Sequence, residues 1–178
     1  VETWNIYVAD AAAGSGPKFV TTGYSPLFMP DESILVLNKS GLVRYVEDES
    51  GEWTGLPVIP VSNGVAETNM KLDISDDGSL LAWSDIDNGE LYLLRTVPRE
   101  DPVVGFGFEA VFTWRAAGFW PVISPDNRYL AFEEVNSADD LTGQRLVVFE
   151  LQTGEKQVLA DLTPYHQEAL YVTDWLEN

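Results

Sequence analysis

The stretch Ile123-Ser124-Pro125-Asp126-Asn127-Arg128-Tyr129-Leu130-Ala131-Phe132 decides how this chain is organised. Ser and Asp side chains accept hydrogen bonds from nearby backbone amides, Pro fixes φ, and Asn tolerates the left-handed region, so Ser124 to Asn127 reads as a turn. Tyr129 to Phe132 then reads as a strand leaving that turn. The same order occurs at Ile74-Ser75-Asp76-Asp77-Gly78-Ser79-Leu80-Leu81-Ala82-Trp83 and, more loosely, at Met29-Pro30-Asp31-Glu32-Ser33-Ile34-Leu35-Val36-Leu37. Leu170-Tyr171-Val172-Thr173-Asp174 begins a fourth occurrence. With Met29, Ser75, Ser124 and Thr173 as equivalent points, the steps are 46, 49 and 49 residues. A fixed period of this size marks a repeat architecture, in which each unit buries its apolar face on its neighbours.

The rest of each repeat follows one order. The turn leads into an apolar strand at Ile34 to Asn38, Leu80 to Ser84 and Tyr129 to Glu133. A second, alternating strand follows at Gly41 to Glu47, Glu90 to Thr96 and Arg145 to Leu151, and a last one at Leu56 to Val61, Phe108 to Trp114 and Gln157 to Asp161. No window of ten or more residues shows a 3.6-residue period, so helices are not expected. A four-stranded antiparallel meander repeated radially is a β-propeller. The expected fold is therefore all-β: one propeller domain of four blades, spanning 24–65, 66–116, 117–165 and a composite of 166–178 with 1–23. In that last blade Ala169 to Trp175 is the first strand, Asn5 to Asp10 the third and Lys18 to Thr22 the fourth. Closure of this kind hides an edge strand. Only 11 residues separate the anchor from the third strand across the joined ends, against 14, 17 and 23 in the other repeats. The composite blade is thus short of its second strand, so either an edge stays open or another molecule supplies the strand. The structural alternative is a fragment of a larger propeller.

The quoted phrases resemble the TolB-type, or PD40, WD40-like propeller repeat. That family reads roughly apolar-Ser-Pro-Asp-Gly-x-x-apolar-Ala-Phe, then a strand like Leu146-Val147-Val148-Phe149, then Thr-Gly, which this chain supplies as Thr153-Gly154. The resemblance covers most of the chain. It implies the propeller fold and leaves function open, because such propellers serve in binding, in scaffolding and in gating of hydrolases.

The formal net charge is −19, from 29 acidic and 10 basic residues among 178. A surface of that sign repels phosphate backbones, so no nucleic-acid partner is expected. Divalent cations and basic partners suit it better. There is no cysteine, which excludes disulfides and thiolate metal sites. No run approaches the roughly 18 apolar residues of a membrane helix, so no membrane insertion is expected. The chain opens at Val1 with no charged and apolar leader, as after removal of a signal peptide or excision from a longer protein. With the repeat type, this sets the expectation of an extracellular or periplasmic protein.

Sequence signals for chemistry are sparse. His166, the sole histidine, lies in a Pro-Tyr-His-Gln loop. There is no Gly-x-Ser-x-Gly elbow and no phosphate loop, so enzymatic activity is not expected. Asp85-Ile86-Asp87-Asn88-Gly89-Glu90 sets oxygen donors at alternate positions around a tight turn. Asp85, Asp87 and Glu90 are candidate Ca²⁺ ligands, since that cation takes six to eight oxygens. The spacing departs from an EF-hand, and Asp-Asn-Gly is also a hairpin turn in its own right, so both readings stand. Trp4, Trp53, Tyr171 and Trp175 are candidate interface aromatics. Trp53 sits in a polar loop, where core or local packing is the favoured reading; with Trp120 it also gives a carbohydrate-binding reading. The leading expectation is a non-enzymatic extracellular scaffold that associates with itself into an oligomer or polymer, assisted by cations. The alternative is a ligand- or protein-binding module, or the gating propeller of a larger hydrolase.

Overall fold

A computed structural model describes residues 4–10, 16–60, 70–85, 90–99, 105–114, 118–135, 144–161 and 175. Every regular element among them is a strand, thirteen in all. The chain falls into two compact units: Val1–Thr68 with Pro98–Gly107, and Asn69–Val97 with Phe108–Asn178.

The first unit holds one antiparallel sheet in the order β1 (Trp4–Val8), β2 (Lys18–Phe28), β3 (Ile34–Asn38), β4 (Gly41–Glu47), β5 (Trp53–Pro60). Strand β3 is the middle of the meander, and Ile34, Leu35, Val36 and Leu37 are all buried, so both of its faces are covered. Ile34 and Val36 pack with Ile6 and Val20, flanked by Val8, Tyr45 and Trp53.

A break was expected after Thr22, between the outer strand of one blade and the inner strand of the next. Instead β2 runs unbroken for 11 residues. Its first half pairs with β1 and its second half with β3. No turn residue intervenes, and Gly23 lets the backbones close up. A Cβ there would lie 2.5 Å from Val36 Cγ1 and 2.6 Å from the Leu37 carbonyl oxygen.

The second unit holds two four-stranded meanders. One is β6 (Met70–Ile74), β7 (Leu80–Asp85), β8 (Glu90–Pro98), β9 (Phe106–Trp114), in that order. The other is β10 (Gly118–Ile123), β11 (Tyr129–Glu134), β12 (Arg145–Glu150), β13 (Lys156–Asp161). These are the strands the repeat predicted, with ends moved by a few residues. Ala82, Leu91 and Leu93 of the first sheet pack on Ile123, Leu130, Phe132, Val147 and Phe149 of the second. Trp114 meets Phe132 and Phe149 edge-on, with centroids 5.2 and 4.8 Å away, a favoured aromatic geometry. Phe132 is fully buried. Its equivalent Trp83 follows Ala82 on the strand, so it turns away from this core and rests on Tyr92, with centroids 5.8 Å apart.

The repeat turns show why their residue types recur. Ser75 Oγ donates to Asp77 Oδ1 and accepts from the Leu80 amide, while the Ser79 amide donates to Asp77 Oδ1, all within 2.8–2.9 Å. Ser124, Asp126, Arg128 and Tyr129 repeat the pattern. The fourth turn residue is left-handed in each of the three described copies, with φ of 70° at Gly78, 56° at Asn127 and 66° at Glu32. Met29 has no hydroxyl, and its amide donates to the Ser33 carbonyl, one residue short of the register that Ser75 and Ser124 adopt with Leu80 and Tyr129. Strands β2 and β10 also share a bulge, at Ser25-Pro26 and Trp120-Pro121. Proline cannot donate to the ladder there, and the residue before it takes a φ of 46° or 52°.

Candidate interaction site

Strand β1 is the outermost of its sheet, and among the described residues it pairs with β2 alone. An edge of this kind presents unpaired amides and carbonyls to any incoming strand. Ile6 and Val20 turn into the core, so Tyr7 and Phe19 fall on the reverse face. These two are register partners, with rings 5.6 Å apart at 69°. Both are 53% exposed, and Trp4 at the start of the strand is 65% exposed. Three large aromatics thus stand in solvent on one hairpin. Lys18, at its end, forms a surface ion pair with Glu47 at 2.7 Å.

The second unit carries a different feature, at the end of β11. Glu134 is buried, with Lys156 Nζ at 2.5 Å and Arg145 Nη1 at 3.9 Å. Its neighbour Glu133 is 3% exposed, and its Oε1 has no hydrogen-bond partner among the described residues. In register it lies between Phe119 of β10 and Leu146 of β12, so its direct cross-strand partners bring no counter-charge. Burial alone pushes its carboxyl up to about 7. Phe119 and Val135 pack beside Trp120, over whose ring Lys71 Nζ sits at 4.2 Å. The sequence offered one signal for Glu133, a pair of carboxylates, Glu133 and Glu134, ending an otherwise apolar strand.

The turn aspartates behave in the opposite way. Hydrogen bonds from Ser79, and then from Ser75 and Asn127, hold Asp77 well below the usual carboxylate range. Ser124 and the Arg128 amide lower Asp126. At Asp31 burial is the largest single influence and raises it, but the bonds from Ser33 and the charge of Arg44 together win.

The sequence-predicted site residues are scattered. Trp4 lies on the exposed hairpin. Trp53, expected in a loop, opens β5 and packs half-buried against the first unit's core. Trp175 is half-buried in the second unit, where its indole N–H donates to the Val122 carbonyl at 3.2 Å and its ring leans on Tyr129. Asp85 and Glu90 are register partners at the end of the β7–β8 pair, and the Tyr92 hydroxyl donates to the Glu90 carboxylate. Asp87, Tyr171 and His166 lie outside the described residues, as does most of the composite blade. Among the described residues no group of three His, Cys, Asp or Glu is clustered to hold a metal ion.

No protein-family model matches this chain, and no curated protein matches its sequence. Solved structures do. TolB from Acinetobacter baumannii superposes with a TM-score of 0.57 at 15% identity, over 88% of this chain and 38% of that one. A putative 6-phosphogluconolactonase from Bacteroides uniformis gives 0.55 at 15% identity, over 89% and 51%. The β-propeller domain of Cps50 (Swd1) from Myceliophteria thermophila gives 0.52 at 13% identity, over 80% and 41%. The chain therefore spans between 38% and 51% of the length of these structures. At such identities they show the fold, an all-β propeller of TolB-like and WD40-like type. They also correct one expectation. Enzymatic activity had been excluded because no triad or phosphate loop is present, yet one of these neighbours bears a lactonase name. The missing motifs belong to other folds, so their absence excludes nothing on this one.

Proposed function

We propose that this propeller associates with itself, a second copy docking on the β1–β2 hairpin. One observation supports the reading: Trp4, Tyr7 and Phe19 stand exposed beside a strand edge that is unpaired among the described residues. Aromatic side chains dominate interface energetics, and an open edge accepts a further strand through main-chain hydrogen bonds. Two copies that each carry −19 repel one another, so salt and divalent cations strengthen the contact by screening. A location outside the cytoplasm goes with this proposal and rests on the repeat type.

Light scattering after size exclusion tests it. Species heavier than 19.8 kDa are expected, growing with ionic strength and lost when Trp4 and Tyr7 are both changed to Ser. A monomer at every salt and protein concentration refutes it.

A second reading, acid–base chemistry at Glu133, is favoured by the buried unpaired carboxyl, whose pKa of about 7 suits proton transfer at neutral pH. Turnover of simple lactones by the wild type that vanishes in Glu133→Gln is the result it expects.

A further inference from the structure

A cleft of about 370 Å³ opens in the first unit where β2 passes the β3–β4 hairpin, lined by Thr21, Thr22, Tyr24, Asn38, Lys39 and Ser40. That volume lies in the range of small-molecule sites. Gly23 completes the lining, and its lack of a side chain lets β2 lie flush against Val36 and Leu37.

The lining is held in shape from behind. Thr21 Oγ1 donates to the Tyr45 hydroxyl at 2.8 Å, and Asn38 Nδ2 donates to the same oxygen at 3.3 Å. The Ser40 amide donates to Asn38 Oδ1 at 2.8 Å. The Asn38 side chain is therefore clamped at both ends, and its nitrogen is engaged within the fold. Fixed polar groups of this kind bind without first losing rotamer entropy.

The charge of the lining is as informative as its shape. Acidic residues number 29 of 178 in this chain, yet among the described residues the cleft is lined by none and by a single ammonium, Lys39. Hydroxyls and an amide both donate and accept hydrogen bonds, which matches a ligand that does the same. Tyr24 adds an aromatic surface of the kind on which an apolar ring face rests. One lysine in a chain of net charge −19 is poor provision for a phosphate dianion, which recruits arginines or several cations. We propose that this cleft binds a carbohydrate ring, neutral or bearing one carboxylate.

Calorimetric titration of the purified chain with glucose, galactose, N-acetylglucosamine, glucuronate and glucose 6-phosphate tests this. At least one of the first four should bind saturably with a millimolar Kd, on the order of −4 kcal/mol. Thr22→Val should weaken that sugar about tenfold, and Lys39→Ala should weaken glucuronate more than glucose. Both changes fall in exposed or partly exposed positions, and an unchanged thermal melt confirms that the variants fold. No saturable binding by any of the first four overturns the proposal. So does binding of glucose 6-phosphate alone, which would mark a phosphate site, and so does binding that both variants leave untouched.

Discussion

Glu133→Gln should make this protein more stable at pH 8 and leave it nearly unchanged at pH 4.5. The carboxyl titrates at 4.5 in an exposed chain and at about 7 in the fold, where burial is the cause. The folded pKa is thus raised, so between 4.5 and about 7 the folded state holds the proton that the unfolded chain has released. Stability therefore falls as pH rises through that window, and the full cost persists above it. A rise from 4.5 to about 7 is worth about 3 kcal/mol at complete ionisation, and relaxation or entering water reduces this to roughly 1–3 kcal/mol. For a chain of this size each kcal/mol moves Tm by about 2–4 °C. The amide of the variant cannot ionise, so whatever its own buried N–H groups cost is the same at every pH. The diagnostic is therefore the difference in Tm between variant and wild type, measured by calorimetry at half-unit steps from pH 4.5 to 8. It should climb by about 3–10 °C, with its midpoint between 5 and 7. A difference that stays flat would mean that Glu133 has found a partner or water, and the buried unpaired carboxyl would be refuted.

Glu32 occupies the left-handed turn position that Gly78 and Asn127 fill elsewhere; Glu32→Gly should raise stability in urea by about 0.5–1 kcal/mol, and Gly78→Ala should lower it by about 1 kcal/mol. At Gly23 an added methyl meets the Leu37 carbonyl oxygen at 2.6 Å, so Gly23→Ala should cost about 1–3 kcal/mol, seen as a lower Tm. Asp73 Oδ2 accepts the Ile123 amide at 2.6 Å from the neighbouring sheet; Asp73→Ala orphans that amide and should cost about 1–3 kcal/mol in denaturant melts. Asp77 and Asp126 are depressed in the fold, so their contribution is present above the ordinary carboxylate pKa and is lost as pH falls through the folded value. Asp77→Asn should flatten the acid limb of a pH–stability curve and leave the limb above pH 6 unchanged.

The repeat made most of the fold legible, because turn chemistry is local. Ser75, Asp77 and Gly78 each act within five residues of one another, so their spacing carries the whole instruction. Position 23 was legible only in retrospect. A glycine between Thr22 and Tyr24 is equally a break or a close approach, and the choice depends on Val36 and Leu37, which arrive from another strand. Trp53 was misplaced for a similar reason, because its polar neighbours spoke for a loop while its ring packs with residues from β1 to β3.

The same reasoning explains why the candidate sites were the harder part. The unpaired state of Glu133 is a property of what lies opposite it, Phe119 and Leu146, and no spacing rule connects those positions. Glu134, one residue on, looks identical in sequence and is satisfied by Lys156 and Arg145. The equivalent position in the second meander holds Ser84, whose hydroxyl donates to the Lys71 carbonyl, and in the first sheet, where the turn is one residue shorter, it holds the buried Leu37. The repeat therefore does not require a polar residue at this point of each sheet, and among the described copies only the third makes it ionisable. A carboxyl kept there against a cost of about 1–3 kcal/mol, where leucine and serine serve in the other two sheets, is the one least explained by folding among the described residues. If the calorimetric difference titrates as expected, acid–base chemistry becomes the reading to pursue alongside self-association. If it does not, Glu133 is a structural residue and acid–base chemistry there is abandoned.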